Sequence, residues 1–93
     1  MTIVGLSDTE RKKLHILRAL AGSRRSLGAR VIARYLWQCG IDLSEDTVRY
    51  HLRMMDERGL TRLVARRDGR EITERGLAEV RRLAAEQGDG FLP

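Results

Sequence analysis

Between residues 43 and 60 the chain reads LSEDTVRYHLRMMDERGL, a segment that few folds accommodate. Ser44 offers a short hydroxyl to an otherwise orphaned backbone N–H in the first turn of a helix. Glu45 and Asp46 follow it and complement the positive end of the helix dipole. Val48, Leu52 and Met55 recur at i, i+4 and i+7, the one-sided apolar stripe of an amphipathic helix. Gly59 stands where a left-handed C′ residue closes such a helix, and Leu60 is placed to pack back onto it. With Val48 at the centre of the buried face and about 100° per residue, Asp46, Arg49, Tyr50 and Arg53 fall on the outer face.

The flanking sequence supplies the rest of a small domain. Ser7 with Glu10 makes a capping box for a first helix, with Leu14, Leu17, Leu20 and Ala21 as its inward stripe and Gly22 at its end. Residues 23–27 form a polar turn carrying Arg24 and Arg25, with Ser26 and Leu27 suited to a brief strand pairing. A second helix is expected from Ala29 to Gln38, closed by Cys39 and Gly40. Its buried pair is Ile32 and Leu36, with Ala29, Val31 and Ala33 around them and Arg30 and Arg34 on another face.

Residues 41–43 make a short turn into the third helix. Beyond Gly59 the run LTRLVARR alternates imperfectly, Asp68-Gly69 is the strongest hairpin signal, and Arg70, Glu71 and Ile72 return as a second strand. Thr73 caps a last helix with Leu77, Val80 and Ala84 as its apolar face and Gly88 beyond its end. The order is helix, helix, helix, strand, turn, strand, helix, that of a mainly α winged helix-turn-helix domain with a small β-hairpin wing. It is expected to fill residues 1–88, leaving 89–93 as a flexible tail or the start of a linker.

With 93 residues the chain forms one module with one modest core. Its net charge of +5, built from 16 Arg and 2 Lys against 13 acids, favours a polyanionic partner; a merely solvated surface is the plain alternative. Residues 1–40 carry eight basic and two acidic side chains, whereas residues 41–60 carry three basic and five acidic ones. Phosphate attraction is therefore expected largely outside the third helix, with Asp42, Asp56 and Glu57 near its ends and turned away.

Cys39 is the single cysteine and His15 and His51 are far apart, so neither a disulfide nor a metal site is expected, and no cofactor. A reduced, cytoplasmic setting is the natural reading, without a signal peptide or a membrane helix. No nucleophile–base pair, paired carboxylates or glycine-rich phosphate loop suggests an enzyme. Tyr35 and Trp37 read as core or interface residues, and His51 as a partly buried packing residue.

If this is a DNA-binding domain, Arg49 is the candidate base reader, because a guanidinium bonds bidentately to guanine O6 and N7 for about 1 to 3 kcal/mol of discrimination. Tyr50 suits a thymine methyl or a phosphate, and Arg53, one turn along, suits the backbone. Ser44 and Thr47 at the helix start suit phosphate. Asp46 either accepts from cytosine N4 or serves only the helix dipole. Arg66, Arg67 and Arg70 bracket the hairpin turn, where a wing tip tracks the minor groove or phosphates, although charge also guards exposed hairpin edges. Arg24, Arg25 and Arg30 add phosphate contacts around the start of the second helix.

The stretch SLGARVIARYLWQCGIDLSEDTVRYHLRMMDERGLTRLVARRDGREITERG closely resembles the N-terminal winged-helix domain of the NrpR nitrogen-regulatory repressors. The likeness runs over about residues 12–80, carried by LGARVIA, IDLS, LSEDTVRYHL with DERGLT, and ITERG. The same domain type is similar to the one preceding the catalytic part of ribonuclease R. The resemblance implies a dimeric, sequence-specific, double-stranded DNA-binding repressor of nitrogen-assimilation genes, relieved by 2-oxoglutarate sensed in domains that follow the winged helix. This chain stops at Pro93, so DNA binding is carried over and effector binding is not. A protein-interaction winged helix, favoured by the net-negative third helix, and an RNA-binding module stay open.

Overall fold

The computed structural model describes residues 5–65 and 69–87. It contains α1 (Asp8–Ala21), α2 (Ala29–Gln38), α3 (Glu45–Glu57), β1 (Thr61–Ala65), β2 (Gly69–Ile72) and α4 (Glu74–Gln87). The strands form one two-stranded antiparallel sheet, so the architecture is the expected winged helix-turn-helix. Gly69 pairs with Ala65, which puts the connection on residues 66–68; Arg66, Arg67 and the Asp68 half of the turn signal lie outside the described residues, as does the tail 89–93. No helix among the described residues is long and apolar enough to cross a membrane.

Local chemistry sets the boundaries. Ser7 Oγ accepts from the Glu10 N–H at 3.1 Å while the Ser7 N–H donates to Glu10 Oε1 at 3.2 Å, completing the capping box of α1. Gly40 and Gly59 adopt φ of 84° and 75°, the left-handed conformation that turns the chain after α2 and α3. Leu60 then donates its N–H to the Met55 carbonyl at 2.9 Å and enters the core. At the head of α4, Thr73 Oγ1 accepts from the Gly76 N–H at 3.0 Å.

The main core joins Ile16, Leu17 and Leu20 of α1, Ile32 and Leu36 of α2, and Val48, Leu52 and Met55 of α3. A smaller cluster seats Leu83 of α4 on Leu6 and Leu14. Three inward stripes differ from expectation. In α1, Ile16 and Ala19 are buried and Ala21 is exposed, because α2 and β2 cover one side of this helix and α4 another. In α4 the fully buried residue is Leu83, with Val80 packed beside it, whereas Leu77, expected on the inward face, is exposed.

In α2, Val31, Tyr35 and Trp37 are 53%, 50% and 66% exposed. Each directly precedes or follows Ile32 or Leu36, which turns it about 100° away from the buried line.

The hairpin pairs Thr61 with Ile72, Arg62 with Glu71 and Leu63 with Arg70, and its register shifts between Leu63 and Ala65. That irregularity accounts for the imperfect alternation of the sequence. The brief strand anticipated at residues 26–27 is a single bridge in which Leu27 N–H donates to Arg70 O at 2.8 Å and Arg70 N–H to Leu27 O at 2.9 Å.

An inter-helix ion pair ties α4 to α1. Lys13 Nζ lies 2.9 Å from Glu79 Oε2, and Arg82 Nη2 reaches the same oxygen at 2.9 Å. Hydrogen bonding from Arg82 first, then from Lys13, lowers the Glu79 carboxyl to about 2 from an ordinary 4.5. A depressed folded-state pKa means that this contribution is complete above about pH 4.5 and is lost as the pH falls through about 2. Thermal melts taken across that window are expected to show the loss, and Glu79→Gln to flatten it while costing about 1 kcal/mol at neutral pH, discounted for partial solvent access. An unchanged acid dependence in Glu79→Gln refutes the assignment.

Candidate nucleic-acid interface

Helix α3 is held by Val48, His51, Leu52 and Met55 on its buried side, with α2 and β1 packed against it. His51 is 8% exposed, in line with the packing role read from the sequence. Desolvation holds its imidazole below the ordinary range, with Lys12 and Lys13 acting in the same sense and Asp8 opposing. A neutral ring at pH 7 therefore sits beneath Tyr50, which meets it edge-on at 5.4 Å between centroids.

The N-terminus of α3 is capped as expected. Ser44 Oγ accepts from the Thr47 N–H at 3.1 Å and donates to Thr47 Oγ1 at 2.9 Å. The two hydroxyls engage one another, so the pair is already part of the cap when any phosphate arrives.

On the outer face Arg49 is not an open guanidinium. Its Nη2 lies 2.6 Å from Glu45 Oε2 and its Nη1 3.4 Å from Asp46 Oδ1. Glu45 was read from the sequence only as a dipole acid; its i, i+4 spacing to Arg49 was the signal for a side-chain pair. The Asp46 side chain is 98% exposed, and Tyr50 and Arg53 are exposed beside it. This face thus presents two acids, two arginines and one aromatic ring, a balance that supports selection between bases more than bulk attraction.

Attraction is concentrated at α2. Residues 11–41 contain eight basic and no acidic side chains. Gly28 caps α2 without any side-chain hydrogen bond, and its first turn holds no acid. The positive end of the helix dipole lies there, with Arg30 exposed in the first turn and Arg24 and Arg25 exposed just ahead of it.

Arg70 corrects the sequence reading. Its side chain is 6% exposed, and its Nε and Nη2 donate to Asp56 Oδ2 at 3.2 and 2.9 Å. Asp56 Oδ1 accepts in turn from Thr61 Oγ1 at 2.6 Å. The second residue of β2 is pinned to Leu27 by its backbone and faces the last turn of α3, so its guanidinium neutralises an acid inside the fold. Asp56, expected near the end of α3 and turned away from the nucleic acid, is the other half of that pair. Arg62, in contrast, pairs across the exposed hairpin with Glu71.

Comparison with known proteins follows the same lines. Residues 14–80 match the ribonuclease R winged-helix domain family. The chain is 43% identical over 75 residues to the global nitrogen regulator NrpR of Methanocaldococcus jannaschii, covering 81% of this chain and 14% of that protein. It is 51% identical over 53 residues to the global nitrogen regulator NrpRI of Methanosarcina mazei, covering 57% and 16%. With the NrpR of Methanococcus maripaludis the identity is 42% over 67 residues, covering 72% and 12%. The chain thus spans only a small part of the length of these curated relatives, which are named as regulators and not as enzymes. No solved structure matches it. Capped helices, a glycine-closed third helix and an antiparallel wing, together with a match over residues 14–80, place the chain in the ribonuclease R winged-helix domain family.

Proposed function

We propose that the chain is the sequence-specific, double-stranded DNA-binding module of a cytoplasmic transcriptional regulator, a repressor of nitrogen-metabolism genes. The observation that carries this reading is the outer face of α3, which presents Arg49, Tyr50 and Arg53 on a helix packed against α2, whose first turn holds Arg30 and no acid. Similarity to global nitrogen regulators supports the regulatory role. Helix α3 enters the major groove, Arg49 exchanges Glu45 for a guanine edge, and Tyr50 contacts a neighbouring base or phosphate. Ser44, Thr47, Arg53 and Arg30 hold phosphates, and Arg66 and Arg67 extend the contact along the wing. Two copies read half-sites about 34–36 Å apart.

Titration of selected and random duplexes at several salt concentrations tests the proposal. Affinity is expected to fall steeply with salt and to favour one sequence. Arg49→Ala should relax specificity by about 1–3 kcal/mol at one base pair, whereas Arg53→Ala should weaken all duplexes evenly and reduce the salt slope by about one. Glu45→Gln removes one acid held on Arg49 and a charge that repels phosphate, so it should tighten binding. Affinity that ignores both salt and sequence sinks the reading. The match to a ribonuclease R domain family favours structured RNA as the second reading, decided by competition between RNA and DNA duplexes.

A further inference from the structure

A second surface lies apart from the outer face of α3. The end of α1, the loop at residues 23–28 and the exposed side of α2 enclose a groove of about 290 Å³, lined by Ala19, Gly22, Ser23, Leu27, Val31 and Tyr35. None of the six carries a charge, and Val31 and Tyr35, one helical turn apart, are each about half exposed. The walls are fixed before any ligand arrives. Leu27 is bonded through both backbone groups to Arg70, and Ser23 Oγ both donates to Arg25 O at 2.9 Å and accepts from Arg25 N–H at 3.1 Å. No residue of α3 contributes, so an occupant here leaves the outer face of α3 uncovered.

Charge selects the occupant. The groove lies wholly within residues 11–41, the stretch with eight basic and no acidic side chains. Arg24 and Arg25 are exposed in the loop that forms one wall, and exposed Arg34 adjoins Tyr35. A second copy bringing the same face meets like charge, and the apolar contact area of Leu27, Val31 and Tyr35 has no counterpart on a phosphate backbone. We infer that the groove docks an acidic amphipathic segment of another protein, its apolar side chains seated on Leu27, Val31 and Tyr35 and its carboxylates on Arg24, Arg25 and Arg34. Apolar anchors supply the binding and complementary charge the rate and the orientation. This inference does not rest on the DNA reading.

The test uses the full chain and three synthetic peptides: one with Leu at helical spacing among Glu and Asp, the same peptide with Lys replacing the acids, and an acidic peptide with Ala replacing Leu. NMR titration at several salt concentrations is expected to shift resonances of Leu27, Val31 and Tyr35 with the first peptide only, and to weaken as salt rises. Val31→Asp places an acid at the third position of α2, where the helix dipole favours it, so the fold is kept while binding falls at least ~10-fold. Tyr35→Ala should lose binding similarly and, since Tyr35 lies outside both the first turn of α2 and the outer face of α3, should leave duplex DNA affinity unchanged. Absence of shifts, equal binding of the basic peptide, or unchanged binding by Val31→Asp overturns the inference. So does occupation of the groove by an oligonucleotide or by a second copy.

Discussion

Replacing Arg70 with alanine is expected to destabilise the fold by about 3 kcal/mol, the lower end of the cost of breaking a buried pair by removing one partner. The guanidinium is 6% exposed and the Asp56 side chain 27%, so the stranded carboxylate would keep a little water. For a domain of this size that loss corresponds to a drop in melting temperature on the order of 15 °C. Paired replacement with Asp56→Asn and Arg70→Met should cost much less than the two single changes added together, because neither partner is then left charged and buried. Duplex affinity per folded molecule should stay close to that of the parent chain. An Arg70→Ala variant that melts normally but has lost affinity would return this residue to the nucleic-acid surface.

The pair also explains where sequence reading succeeds and where it stops. Ser7 with Glu10, Ser44 with Thr47, and Gly59 act within one or two helical turns, so their spacing alone reveals caps and ends. The winged-helix order follows from them, and so does the outer position of Asp46, Tyr50 and Arg53. Arg70 and Asp56 lie 14 residues apart and meet only after α3 has docked on the hairpin, and no local pattern encodes that encounter. Beside a turn signal, an arginine looks solvent-facing. The buried stripes of α1 and α4 were misread at Ile16, Ala19 and Leu83 for a related reason. A helix covered on two sides buries a wider arc than the single stripe that periodicity detects. For Tyr35 and Trp37, which the sequence leaves as core or interface residues, the phase beside Leu36 decides, placing both outside the core.

Gly76→Ala is expected to cost about 3 kcal/mol, although intrinsic helix propensity alone would favour alanine by about 1 kcal/mol. A Cβ at this position would lie 2.2 Å from the Leu60 carbonyl oxygen and 2.6 Å from Ile72 Cγ1. The carbonyl has little room to retreat, since it accepts from the Thr73 N–H at 3.1 Å and from Thr73 Oγ1 at 3.1 Å. The Thr73 hydroxyl proton is shared with the nearer Gly59 carbonyl at 2.6 Å, which ties the cap of α4 to the left-handed end of α3. Relief must therefore come from displacement of α4, which draws Leu83 away from Leu6 and Leu14 and stretches the Lys13–Glu79 ion pair. Chemical denaturation should register the loss, and hydrogen exchange should accelerate along α4 before the α2–α3 pair. Gly5→Ala meets nothing within 4 Å and serves as the control, with an expected effect within about 0.5 kcal/mol. Equal stability of Gly76→Ala and Gly5→Ala would mean that α4 does not approach the start of β1 this closely. With α4 displaced and α3 intact, the face of α3 proposed to contact DNA should keep its duplex affinity, because no residue of α4 belongs to that surface.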